Sequence, residues 1–154
     1  MWGRSKGVRR WLMVEDPANE SPISPEDRDL VSATLRDGST AVLARGCSEQ
    51  LLHGEPHPGN TIRSDAGLVF VDLETCCRGP VEFDIAHATI VEGAPPTEVS
   101  RLYPGADVQL VRECWRLTLA LAIAWRFEPG DDLPDGTARA RSWAQQLRTD
   151  RSTV

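Results

Sequence analysis

The 154-residue chain has a single lysine, Lys6, so nearly all of its basic character falls to arginine. A lysine set in an ordered strand to grip phosphate is therefore missing, and no glycine-rich loop precedes residue 53. No apolar run approaches the ~20 residues of a membrane span. Trp11-Leu12-Met13-Val14 is too short for the apolar core of a secretion signal and ends at Glu15-Asp16. Arg9-Arg10 has the look of a twin-arginine signal, but without the apolar region that export requires. Cysteine is sparse: Cys47, Cys76, Cys77 and Cys114 lack zinc-ligand spacing, and adjacent Cys76-Cys77 makes a poor disulfide framework. Reduced thiols in a cytoplasmic protein are the expectation. A net charge of -6 argues against a general binder of nucleic acid or of anionic membrane.

What is present fits one domain over residues 1–154, long enough to bury a core. Residues 1–23 read as irregular, broken by Pro17, Asn19 and Ser21-Pro22. The remainder, 24–150, reads as the folded body. Ser24-Pro25-Glu26-Asp27 starts a helix, with a serine cap, proline in the first turn and acids at the positive end of the dipole. That helix should run to Arg36 and stop at Asp37-Gly38, with a short apolar segment following at residues 41–44. Leu51-Leu52 reads as a short strand. Residues 61–63 and 68–71 read as a hairpin about the turn 64–67. A helix is expected over 84–91. The longest helix is expected over 107–127, where Val111, Cys114, Trp115, Leu121 and Trp125 follow a 3.6-residue rhythm, and a polar surface helix over 136–147. The fold class is mainly α with a small β-hairpin (α+β).

The stretch 51–87 carries the chemistry. It orders His53-Gly54-Glu55, then Asn60, then Asp72 at the end of an apolar run, then Asp84 in a Phe-Asp-Ile-Ala context. Phosphoryl transfer needs such an order: a carboxylate to orient or deprotonate a hydroxyl, and an Asn and an Asp to hold the magnesium that neutralises the phosphates. A hairpin between Asn60 and Asp72 brings both to the same end. Hard oxygen donors of this kind suit Mg²⁺.

The segments His53-Gly54-Glu55-Pro56-His57-Pro58-Gly59-Asn60, Val69-Phe70-Val71-Asp72-Leu73-Glu74 and Gly79-Pro80-Val81-Glu82-Phe83-Asp84-Ile85-Ala86 resemble the aminoglycoside phosphotransferase family, which shares the protein-kinase-like fold. The tail from Trp115 to Leu147 also looks like the helical end of that family. The resemblance implies a kinase-like C-terminal lobe lacking the nucleotide-binding N-lobe, with ATP and Mg²⁺ as cofactors. Glu55 falls at the catalytic-base position, where the family has Asp; Asn60 and Asp72 fall at the metal positions. His53, His57 and Asp84 fall at positions that support the loop. The implied acceptor is a small-molecule hydroxyl, an aminoglycoside being one candidate, with no nucleic acid and no membrane as partner. A homodimer or the N-lobe would cover the face left bare. Three readings stay open: a shortened phosphotransferase lobe, a non-catalytic remnant acting as a binding module, and a helical interaction protein carrying the motif by coincidence.

Overall fold

The computed structural model describes residues 11–151, the side chains of residues 91, 92 and 151 excepted. Lys6 and its basic surroundings lie outside the described residues. The chain divides into two compact units, Gly46–Trp115 forming most of the first, and the stretches on either side of it forming the second; the boundary falls inside one helix. Among the described residues no helix is long and apolar enough to cross a membrane.

In the second unit, residues 11–15 are helical, although that stretch reads as irregular in the sequence. Helix α1, Pro25–Ala44, begins as expected: Ser24 Oγ accepts the Asp27 N–H at 3.1 Å, with Pro25 in the first turn. It does not stop at Gly38. The stripe Val31, Leu35, Val42 is buried on one side, and Gly38 lies in that stripe against the Leu117 side chain. Burial of Val42 repays another two turns of helix, and tertiary packing overrides the local stop signal. The Ser39 and Thr40 hydroxyls donate to carbonyls one turn back, at Leu35 and Arg36, so even these poor helix formers are satisfied. The apolar segment 41–44 is the last turn of α1, which at 20 residues is longer than the helix expected to be the longest. Helix α5, Gly136–Arg151, buries Ala140, Ala144 and Leu147 and is tied to α1 by an Arg148–Asp27 ion pair. Arg116 pairs with Asp150 at 2.6 Å.

The first unit is built from short pieces. Strand β1, Gln50–Leu52, pairs antiparallel with β4, Cys77–Gly79, so Leu52 lies opposite Cys77. Strands β2, Thr61–Ser64, and β3, Gly67–Phe70, form the expected hairpin. Helix α2, Val81–Glu92, starts earlier than expected, directly after Pro80. A short helix α3, Pro96–Ser100, follows the Pro95 N-cap. Helix α4, Val108–Trp125, is capped by Asp107, whose Oδ1 accepts the N–H groups of Gln109 and Leu110, and it carries the boundary between the units. The core of this unit is Leu52, Phe83, Ile85, Ala86, Val99, Leu110, Val111 and Cys114. The hairpin stays outside it: Ile62, Leu68, Val69 and Phe70 are all exposed.

Candidate functional site

The loop between β1 and the hairpin is organised by α2. Asp84, in the first turn of that helix, accepts the backbone N–H groups of His53 and Gly54, one on each carboxylate oxygen, both at 2.9 Å. Two charge-assisted bonds from one rigid side chain fix the turn that begins the motif. Gly54 sits at φ +90°, and a Cβ there would stand 2.4 Å from the Thr75 carbonyl oxygen. Both the backbone angle and the close approach demand glycine.

His53 links the loop to the hairpin. Its Nδ1 accepts the Glu55 N–H at 3.3 Å, so Nε2 carries the proton and donates to the Val71 carbonyl at 2.9 Å. Phe70 packs its ring against the imidazole, centroids 5.1 Å apart. Thr75 Oγ1 donates to the His53 carbonyl at 3.0 Å. Thr75 and the β4 strand beside it are supports that the sequence did not disclose. Nothing in Leu73-Glu74-Thr75-Cys76 marks a loop clamp, and a three-residue strand is too short to leave a pattern.

Asn60 is 7% exposed, held in the 3-10 turn Pro58–Asn60. Its Nδ2 donates to the Glu55 carbonyl at 3.0 Å, which fixes the amide orientation. Its own carbonyl accepts the Val71 N–H at 2.9 Å, extending the hairpin register by one pair beyond Thr61 and Phe70. Asp72 therefore follows directly after the residue bonded to Asn60. It takes a left-handed conformation (φ 60°, ψ 64°), a region Asp tolerates better than most residues, and turns the chain out of β3. Its side chain is exposed. Glu74 lies in the 3-10 turn Leu73–Thr75, because β3 ends at Phe70. Glu55 is half-buried between His53 and Asn60, its backbone bonded to both.

His57 caps the turn that carries Asn60: Nδ1 accepts the Gly59 N–H at 3.0 Å. Its ring stacks on His87 of α2. Burial, with His57 and His53 nearby, lowers His87 to about 4. Cys77 is pushed up by burial and by the Asp84 charge, so it is an inert thiol. No three His, Cys, Asp or Glu side chains converge as a metal cage among the described residues. A magnesium site does not require one: an amide oxygen and one or two carboxylates, completed by phosphate oxygens and water, are the usual donor set. Asn60 and Asp72 fit it in type. With Nδ2 committed to Glu55, the other terminal atom of Asn60 is the hard oxygen.

Comparison with known proteins adds two findings. The model of the phosphotransferase enzyme family matches residues 5–115. Among solved structures, the choline kinase LicA from Streptococcus pneumoniae is similar, with a TM-score of 0.69 and 15% identity, over 94% of this chain and 54% of that one. The chain thus spans about half the length of the structure it matches. No curated protein matches the sequence. The kinase-like fold expected from the motifs is borne out, and the likeness of fold reaches the helical tail, beyond the residues of the family match.

Proposed function

The chain belongs to the phosphotransferase enzyme family, and from that membership we propose that it carries the catalytic loop of an enzyme transferring the γ-phosphoryl group of ATP to a small-molecule hydroxyl. The observation that carries this reading is the Asp84 carboxylate holding the N–H groups of His53 and Gly54, with His53 bonded onward to Val71. One bonded unit thereby contains Glu55, Asn60 and the residue before Asp72.

In this reading Glu55 orients the acceptor hydroxyl and takes its proton as the new P–O bond forms and the bond from the γ-phosphorus to the bridging oxygen breaks, ADP leaving. Asn60 and Asp72 are the residues that would hold Mg²⁺, which when bound offsets negative charge on the phosphates. His53, His57 and Asp84 touch no reactant; they keep the loop in shape. The acceptor belongs to the class of small alcohols. Choline, the substrate named for the similar structure, and an aminoglycoside are both alcohols that carry positive charge, and a net charge of -6 suits either. The bare apolar hairpin, with Ile62, Leu68 and Phe70 exposed, is the face a nucleotide-binding lobe would cover. A cytoplasmic location follows from the use of ATP.

A second reading, a non-catalytic binding module, is favoured by Glu55 itself. Glu in place of the family's Asp lengthens the arm, and a misplacement of about 1 Å at a reacting centre costs roughly a hundredfold in rate.

Calorimetric titration with Mg²⁺ and a non-hydrolysable ATP analogue tests the proposal. Saturable binding that disappears in Asp72→Ala is the expected result. Absence of heat at millimolar ligand would show that this chain does not hold a metal–nucleotide on its own.

A further inference from the structure

Among the described contacts, helix α2 meets the segment from His53 to Asn60 through Asp84, by hydrogen bonds, and through His87, by its ring. Asp84 fixes the backbone of His53 and Gly54. His87 lies three residues further along the helix, on the same face as Asp84. Its ring stacks on that of His57, with centroids 6.2 Å apart and planes 21° apart, within the usual range of aromatic pairs. All three histidines of the chain, His53, His57 and His87, therefore belong to the loop and its support.

His57 is in turn joined to the turn that follows it. Its Nδ1 accepts the Gly59 N–H at 3.0 Å, and the ring lies so close that a Cβ on Gly59 would stand 2.9 Å from His57 Cε1. Displacing the imidazole displaces the backbone of Gly59. Asn60 is the next residue, and its N–H closes on the His57 carbonyl at 2.9 Å. The other bonds of the turn, Thr61 Oγ1 to the Pro58 carbonyl and Asn60 Nδ2 to the Glu55 carbonyl, tie the segment to itself. They do not attach it to the helix. Among the described contacts, the stacked rings are that attachment.

We propose that His87 is a positioning residue, whose ring fixes His57 and through it the turn that presents Asn60. The inference rests on the phosphotransferase reading only for the use made of Asn60; the chain of contact from His87 to Asn60 stands on its own. Its chemistry requires a neutral, flat ring. His87 Nδ1 is buried with no hydrogen-bond partner, so packing holds that edge of the ring. Burial keeps the imidazole uncharged at neutral pH, and a cation beside His57 would weaken the stack. A phenyl ring should therefore replace it, and a methyl group should not.

The experiment is NMR on the ¹⁵N-labelled chain, with His87→Ala and His87→Phe. In the unsubstituted chain the ring protons of His57 and His87 should share a nuclear Overhauser contact. In His87→Ala the Asn60 amide should exchange at least about tenfold faster, while the His53 and Gly54 amides held by Asp84 keep their protection. His87→Phe should restore slow exchange at Asn60. Unchanged exchange in His87→Ala, or equally fast exchange in His87→Phe, overturns the proposal. Should His87→Ala fail to fold, a missing ring contact in the unsubstituted chain overturns it; a ring contact together with a protected Asn60 in His87→Phe sustains it. Failure of the phosphotransferase reading looks different: no metal–nucleotide binding by the unsubstituted chain, with the exchange pattern intact.

Discussion

The loop half of the first unit and the helical unit keep their shape by different means. From residue 46 to 79 the only large apolar side chain that is fully buried is Leu52, and the hairpin exposes its apolar residues on both faces. Order there comes from polar bonds to single atoms: Asp84 to two N–H groups, His53 to Val71, Thr75 to His53, Asn60 to Glu55. In the helical unit, order comes from area. Val31, Leu35, Val42, Leu117, Leu119, Ile123, Ala144 and Leu147 are buried together, and Arg28 lies over Phe127 at 5.2 Å. Area can be redistributed among similar side chains, whereas a bond to one atom cannot. The loop should thus fail at single positions, while the helical unit yields gradually.

Gly54→Ala tests the first half of that contrast and should have the largest effect. A positive φ and a 2.4 Å approach to the Thr75 oxygen give no room for a methyl group. The cost is on the order of 4 kcal/mol, and no larger residue should be tolerated. Urea unfolding followed by circular dichroism measures it. Ile123, fully buried in the helical unit, should behave otherwise. Ile123→Ala should cost about 3 kcal/mol, but Ile123→Leu under about 1.5 kcal/mol, because neighbours can repack around an equal volume. Equal losses in the two Ile123 variants would break the comparison.

The loop should also be the part sensitive to pH. His87 falls from an ordinary 6.5 to about 4 in the folded chain. Between these values the unfolded chain binds a proton at this site and the folded chain does not. Stability therefore declines as pH is lowered from about 6.5 to about 4, and this group adds no further slope above or below that window. The loss is on the order of 2 kcal/mol after allowance for partial exposure. His87→Phe should flatten that part of the stability–pH curve. An unchanged slope would mean that His87 is not desolvated.

The loop that gathers the candidate residues was more legible than the helix boundaries around it. His53, Glu55, Asn60, Asp72 and Asp84 stand out because their chemistry needs particular residue types at fixed spacing, and spacing survives in a sequence. The hairpin was legible for the same reason: its alternation and its turn are local. Thr75, the β4 strand and His87 were not legible as supports, since each acts through a partner far along the chain or through packing alone. Helix boundaries failed in a telling way. Asp37-Gly38 is a fair stop signal, and α3 hides behind Pro95-Pro96, but burial of Val42 and of Val99 outweighs both. Local signals set where a helix can end, and the core decides whether it does.

Gly38 lets that last point be measured, with the smallest expected effect and the opposite sign to Gly54. It lies inside α1, without a positive φ, and a Cβ there would meet Leu117 Cδ1 at 3.7 Å, an ordinary contact. A methyl group should fit and should remove the backbone freedom that glycine gives the unfolded chain. Gly38→Ala is therefore expected to stabilise by about 0.5–1 kcal/mol, read as a raised urea midpoint with an unchanged slope. The same substitution at two glycines then separates the two kinds of order: at Gly54 the backbone is fixed by a single oxygen, at Gly38 by a packed stripe with space to spare. A destabilised Gly38→Ala would show that the stripe against Leu117 is as exacting as the loop, and that the helical unit does not yield as gradually as its buried area implies.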